Sequence, residues 1–177
     1  MTTSTTVNIK PEIKTAKVRL RLLAADDLAM TLAWRNRDEV RQWLGNAAEL
    51  AMPAHQAWFR AHQALDNAFM FIVEDAFTAA PLGQVSIYEI DREMGTAEVG
   101  RFIAAPGVSG KGLIREAIAA LINFAFDEMN LNELLLLVMA HNHRAIKLYA
   151  SLGFIQIFAD AAQDATSMIT MTLKKSA

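Results

Sequence analysis

Between residues 69 and 140 the hydrophobic pattern changes period in an order that few folds accept. Three apolar stretches of strand length, 69–74, 83–90 and 97–104, follow one another across turns at 75–81 and 91–95 before a long helical pattern begins. Turns that short leave consecutive strands antiparallel, whereas a strand reached through a helix lies parallel to its predecessor, with a right-handed crossover. The helix comes next. From Leu113 to Met129, residues Ile114, Ala117, Ile118, Leu121, Ile122 and Ala125 form one broad apolar face that Phe124 and Phe126 widen, so the helix is expected to be largely buried. Residues 133–140 are apolar throughout after Glu133, the pattern of a central strand covered on both faces.

The flanks complete the order. Val18, Leu20 and Leu22 alternate with Arg19 and Arg21, the period-two mark of a half-buried strand, and the basic run Lys10, Lys14, Lys17, Arg19, Arg21 is expected to be its solvated face. Residues 25–42 read as helix, opened by Asp26 and Asp27 and broken near Asn36–Arg37. Pro53 suits the first turn of a further short helix, 54–65. A helix over 142–152 ends at Gly153, and strands at 154–158 and 167–173 close the chain. The expectation is a mixed α/β fold: a central, mostly antiparallel sheet of about seven strands with helices on both faces. Residues 1–16 read as an N-terminal arm and 17–177 as a single domain.

Composition narrows the function. The chain has no cysteine, so disulfides, thiolate zinc sites and cysteine nucleophiles are excluded. A net charge of −2 gives no electrostatic reason to expect nucleic acid or an anionic membrane as partner. The polar start MTTSTTVNIK lacks the apolar core of a signal peptide, and no apolar run reaches the roughly 18 residues of a membrane span. A cytoplasmic enzyme or binding protein is expected. His141 and His143, without a carboxylate partner, are discounted as a metal site, and none is assigned.

The segment Pro106-Gly-Val-Ser-Gly-Lys-Gly-Leu113 joins a strand to a helix start. Amide groups there lack intrahelical acceptors and carry partial positive charge, and glycines let an anion approach the backbone. Gly112 follows Lys111 where a P-loop needs Ser or Thr, and the spacing is not G-x-G-x-x-G. The residues alone leave two readings open: a phosphate cradle, or a plain connection whose glycines serve backbone geometry.

Two motifs decide between them by resemblance. Ser109-Gly-Lys-Gly-Leu-Ile114, after the strand Glu98-Val-Gly-Arg-Phe-Ile-Ala104, is similar to the Q/R-x-x-G-x-G/A motif of GNAT acetyltransferases, with Ser109 and Ile114 departing from it. Asn142-His-Arg-Ala-Ile-Lys-Leu-Tyr-Ala-Ser-Leu-Gly-Phe154 resembles that superfamily's N-x-x-A-I-x-L-Y-x-x-x-G-F signature nearly throughout. Val18-Arg-Leu-Arg-Leu22, Trp34-Arg-Asn36, Trp43 and His55-x-x-Trp58 resemble the branch of ribosomal-protein acetyltransferases. Within it they are most similar to enzymes acting on nucleotide-linked amino sugars, of the pseudaminic acid pathway type.

The resemblance implies an acetyl-CoA-dependent N-acetyltransferase acting by direct attack of a primary amine. Acetyl-CoA would lie against Phe102, Ile103 and Ala104, where the third strand splays from strand 133–140, and against Ser109, Gly110, Lys111, Gly112, Leu113, Ile114 and Asn142. Asn142 is equally a plain N-cap. Tyr149 is the implied general acid, against a core tyrosine. Glu98 is the implied base, sharing a face with Gly100 and Phe102 by period-two parity, with His55 its rival. Trp34, Arg35 and Trp58 would bind the acceptor, a nucleotide-linked amino sugar by preference; a protein N-terminus or another small amine is the alternative. A catalytically silent acyl-CoA sensor is the competing class. The assembly is open, a homodimer included.

Overall fold

The period changes in the sequence resolve into one sheet. A computed structural model of the chain describes residues 11–157 and 167–176. Along it run β1 (Ile13–Lys14), β2 (Val18–Leu22), a 3-10 turn (Ala25–Asp27), α1 (Leu28–Arg35), α2 (Asp38–Arg41) and α3 (Met52–Gln63). Then come β3 (Phe69–Asp75), β4 (Pro81–Asp91), β5 (Thr96–Ala104), α4 (Leu113–Asp127), β6 (Glu133–Met139), α5 (His143–Ser151), β7 (Ile155–Ile157) and β8 (Met168–Lys174). The strand order is β1-β2-β3-β4-β5-β6-β8-β7. Among the described residues only β5 and β6 are parallel; every other neighbouring pair is antiparallel. The mixed, mostly antiparallel sheet expected from the sequence is present, with an eighth strand: Ile13 and Lys14, read as arm, pair with Leu20 and Arg19. Residues 1–10 and Phe158 lie outside the described residues.

Helices cover both faces. On one, Val18, Leu20, Phe71, Val85, Ile87, Val99 and Leu134 pack against Ala117, Ile118, Leu121 and Ala125 of α4, and α5 adds Ala145, Ile146, Leu148 and Tyr149. On the other, Trp34 of α1 packs on Ile72, Ile103 and Ala105. The break near Asn36 is real, because the Asn36 side chain turns outward to clamp the loop after α2. Its Oδ1 accepts from Leu50 N–H (2.9 Å) and its Nδ2 donates to Leu50 C=O (2.8 Å). Among the described residues, no helix is long and apolar enough to cross a membrane.

Two expectations fail for tertiary reasons. β6 is covered fully on one face only: Leu134, Leu136 and Val138 are buried, whereas on the other Leu135 and Met139 are half-buried and Leu137 is 50 % exposed. The helix on the far face, α1, packs over β3 and β5 and stops short of β6. Of the basic run, Lys14 and Lys17 are solvated as expected, but Arg19 and Arg21 are half-buried and engaged. Both grip Glu74, and Arg21 also forms a fork with Asp27, at 2.7 and 2.8 Å. Burial opposes ionisation of Asp27, but its bonds to Arg21 and to Ala24 N–H win and hold the carboxyl below its usual range. Glu74 is held low in the same way, burial being outweighed by Arg19 and Arg21.

Candidate active site

β5 and β6 pair only at Thr96–Glu98 against Glu133–Leu135. Beyond that point the two parallel strands make no ladder, and a cleft of about 910 Å³ opens between them. Phe102, Ile103 and Ala104 line one arm, Leu136 to Met139 the other; the turn 106–112 and Asn142, Ala145, Leu148 and Tyr149 of α5 close the end. A bulge shapes the β5 arm. Gly100 lies opposite Ser86 and Ile103 opposite Gln84, so Arg101 and Phe102 together face Val85. Arg101 takes a left-handed φ of 53°, a conformation costing a non-glycine residue roughly 1–3 kcal/mol. The extra residue inverts the parity downstream. Gly100 and Ile103 therefore share one face, while Phe102 moves to the other. The period-two expectation that Phe102 lies on the Glu98 face is overturned, and the Phe102 ring instead sits 5.8 Å from that of Tyr149.

The Gly-rich turn suits an anion. Gly112 is the N-cap of α4 at φ 75°, with no side-chain cap, so the amides of the first turn are left for a ligand. A Cβ on Gly107, Gly110 or Gly112 would meet nothing within 4 Å; the turn is open, and its backbone accessible to a pyrophosphate. Ser109, Gly110, Gly112 and Ile114 line the cleft. Lys111 and Leu113 do not, and Leu113 packs toward the core. The departure at Ile114 has a structural complement: a Cβ on Gly83 of β4 would stand 2.8 Å from Ile114 Cδ1 and 2.3 Å from Ile103 C=O. Gly83 makes the room that the larger side chain takes. Arg115 and Arg144 also line the cleft and add positive charge that the motif comparison did not single out. Their signal was position alone, in the first turns of α4 and α5.

Tyr149 faces this cleft. Its hydroxyl has no hydrogen-bond partner among the described residues, and burial pushes its pKa up to about 12, so it holds its proton at neutral pH. Asn142 caps α5, its Oδ1 accepting from Ala145 N–H at 3.2 Å, and it lines the cleft as well. Of the Ala104 backbone, the carbonyl is already taken, by the Arg37 guanidinium.

A second cavity of about 290 Å³ lies on the α1–α3 side of the sheet and shares Leu44, Arg101 and Ile103 with the cleft. On α3, His55, Trp58 and His62 stack in a column, 5.4 and 5.2 Å between ring centres, as their spacing of three and four residues allows. His55 and Trp58 line the cavity. His55 is 6 % exposed, and its Nε2 lies 3.0 Å from Thr31 Oγ1. When that hydroxyl donates to Asp27 C=O (3.0 Å), Nε2–H is the donor to it and Nδ1 is the accepting nitrogen. Burial first, then Arg35, lowers the His55 pKa below the ordinary histidine value. Arg35 lines the cavity but spends its donors on the carbonyls of Asn46 and Ala48 and on Asn36 Oδ1. It therefore shapes the loop 46–48. Trp34 lines neither cavity and is spent on packing. Glu98 also lies outside both linings; its Oε1 accepts from the Tyr88 hydroxyl at 2.7 Å. Sequence reasoning missed Tyr88 and Arg101, because a bulge and a left-handed arginine leave no mark on a period-two pattern.

A splayed parallel pair, an open anion turn at a helix start and a protonated tyrosine facing both form one unit, and the family comparison agrees with it. Residues 17–155 match the acetyltransferase (GNAT) domain. The chain belongs to the GNAT family. It is 36 % identical over 92 residues to a spermidine N(1)-acetyltransferase of Vibrio cholerae, covering 51 % of this chain and 52 % of that protein. The same-named protein of Escherichia coli K12 is 30 % identical over 138 residues, covering 77 % and 72 %. The chain thus spans about half the length of the first of these relatives. The fold matches a Vibrio cholerae spermidine N-acetyltransferase crystallised with CoA and spermine, at a TM-score of 0.80 and 23 % identity, over 90 % of this GNAT chain and 96 % of that one.

Proposed function

We propose that this GNAT domain is an acetyl-CoA-dependent N-acetyltransferase that acetylates a primary amine of a small molecule, a nucleotide-linked amino sugar by preference. The observation that carries the reading is the Tyr149 hydroxyl, protonated and free of other partners, in a cleft that also holds a helix start suited to an anion. Acetyl-CoA supplies the activated acetyl group. The Gly-rich turn, Arg115 and Arg144 suit its phosphates, and the unpaired stretch of β5 suits its amide-bearing arm. The amine nitrogen attacks the thioester carbonyl, the C–S bond breaks, and Tyr149 O–H supplies the proton taken by the departing sulfur. The amine's surplus proton passes to Glu98 through water, or to His55 Nδ1.

The cavity holding His55 and Trp58 suits the acceptor. Its stacked column offers an aromatic face to a base or sugar ring. A polyamine is the second reading, favoured by the spermidine acetyltransferases among the relatives. The test is thiol release from acetyl-CoA with a UDP-linked amino sugar, spermidine and an N-terminal peptide as separate acceptors. Turnover concentrated on the sugar supports the proposal. Turnover of spermidine alone replaces the acceptor, and acetyl-CoA binding with no turnover on any amine supports a sensor in place of an enzyme.

A further inference from the structure

We infer that Arg101 selects acceptors by charge, drawing amines that carry an anionic group such as a phosphate and turning polycations away. The inference rests on the acetyltransferase reading above and assigns the charge class of its acceptor. Among the residues lining the 290 Å³ cavity there is no aspartate or glutamate, while Arg35 and Arg101 are both there. A polyamine needs the opposite arrangement, because an ammonium brought beside guanidinium groups with no carboxylate in the lining is repelled.

Arg101 is the charge free to act. It makes no ion pair among the described residues: its guanidinium lies 4.3 Å over the Tyr88 ring, and Glu98, the carboxylate nearby in the ladder, accepts the Tyr88 hydroxyl. Arg35, by contrast, is engaged by loop carbonyls. The bulge puts Arg101 where both cavities include it, between the site for the amine and the site for the acetyl donor. The Arg101 guanidinium rests on the Tyr88 ring and donates to no partner among the described residues, so its N–H groups can receive an oxyanion in a two-bond fork. The charge of Arg101 also reaches His62 on α3, whose pKa is lowered by burial and then by Arg101.

The experiment compares kcat/KM for glucosamine 6-phosphate, glucosamine and spermidine in the wild type, Arg101→Gly and Arg101→Lys. Glycine tolerates the left-handed bulge and removes the charge; lysine restores a charge without the fork. In the wild type the phosphate ester is expected to exceed glucosamine by about 10- to 100-fold, as for a hydrogen-bonded charge pair, with spermidine below both. In Arg101→Gly that ratio falls toward unity, mostly through KM, and Arg101→Lys recovers part of it. Spermidine equal to or better than the phosphate ester in the wild type overturns the inference, as does a ratio unchanged by Arg101→Gly. Absent thiol release with every amine would mark failure of the acetyltransferase reading instead. UDP binding with CoA at saturation then decides the charge reading: a loss of about tenfold or more in Arg101→Gly supports it, and equal affinity overturns it.

Discussion

The two cavities are built by different means. The cleft between β5 and β6 takes its anion site from one continuous turn, 106–112, and its hydroxyl from one helix, α5, and much of what it offers a ligand is backbone. The smaller cavity collects side chains from α1, α3, β3, β4 and β5, and what it offers is aromatic faces and positive charge. A backbone cradle accepts the same group across a family, because nearly any sequence presents the same amides. A side-chain pocket changes its ligand with one substitution. The contrast teaches that what the cleft offers is held by fold and what the smaller cavity offers by side-chain identity.

Truncating Trp34, which packs on the sheet, and Trp58, which lines the smaller cavity, tests that division most strongly. Trp34→Ala removes a buried ring and is expected to cost about 3–5 kcal/mol in urea unfolding. Trp58→Ala, on the half-exposed column, is expected to cost about 1 kcal/mol or less while raising KM for the amine. Equal stability losses would mean that the acceptor wall and the core are one structure.

Tyr149→Phe probes the cleft itself. About a 100-fold or larger fall in kcat is expected, with acetyl-CoA affinity within about threefold of the wild type by calorimetry. Unchanged turnover would remove Tyr149 from the chemistry and leave it a core residue.

Asp27→Asn tests whether the ion network beneath α1 supports the acceptor side alone. Leaving Arg21 without its fork is expected to cost about 2–3 kcal/mol. Because the folded Asp27 and Glu74 pKa values lie below their unfolded ones, their stabilisation is present above about pH 4 and is lost as the pH falls further. The variant's unfolding free energy should therefore fall less steeply with acid than the wild type's. Equal slopes would show that Asp27 carries none of the linkage.

The smallest effect separates the two bases. The lowered His55 pKa keeps that ring neutral at pH 7, so an acidic limb due to it lies below about pH 6.5. His55→Ala removes that limb if His55 takes the proton, and Glu98→Gln removes it if Glu98 does. A limb surviving both would assign the proton to neither.

Legibility in the sequence follows the same line. The strands read at 69–74, 83–90 and 97–104, the helix from Leu113 and the cap at Asn142 were all legible to within two residues, because each is set by neighbours a few residues away. The coverage of β6 was not, since it depends on where α1 stops. Nor were the positions of the Arg19–Glu74–Arg21–Asp27 charges, which meet across paired strands and a turn.

What the sequence determined by itself is the order of elements, the Gly-rich turn and the Asn142–Phe154 motif, and with them the family. Local periods, caps and glycines suffice for these. Only the tertiary structure decided that one extra residue in β5 turns Phe102 toward Tyr149 and stands Arg101 between two cavities. A bulge is a mismatch between two strands, and neither strand's sequence contains it alone.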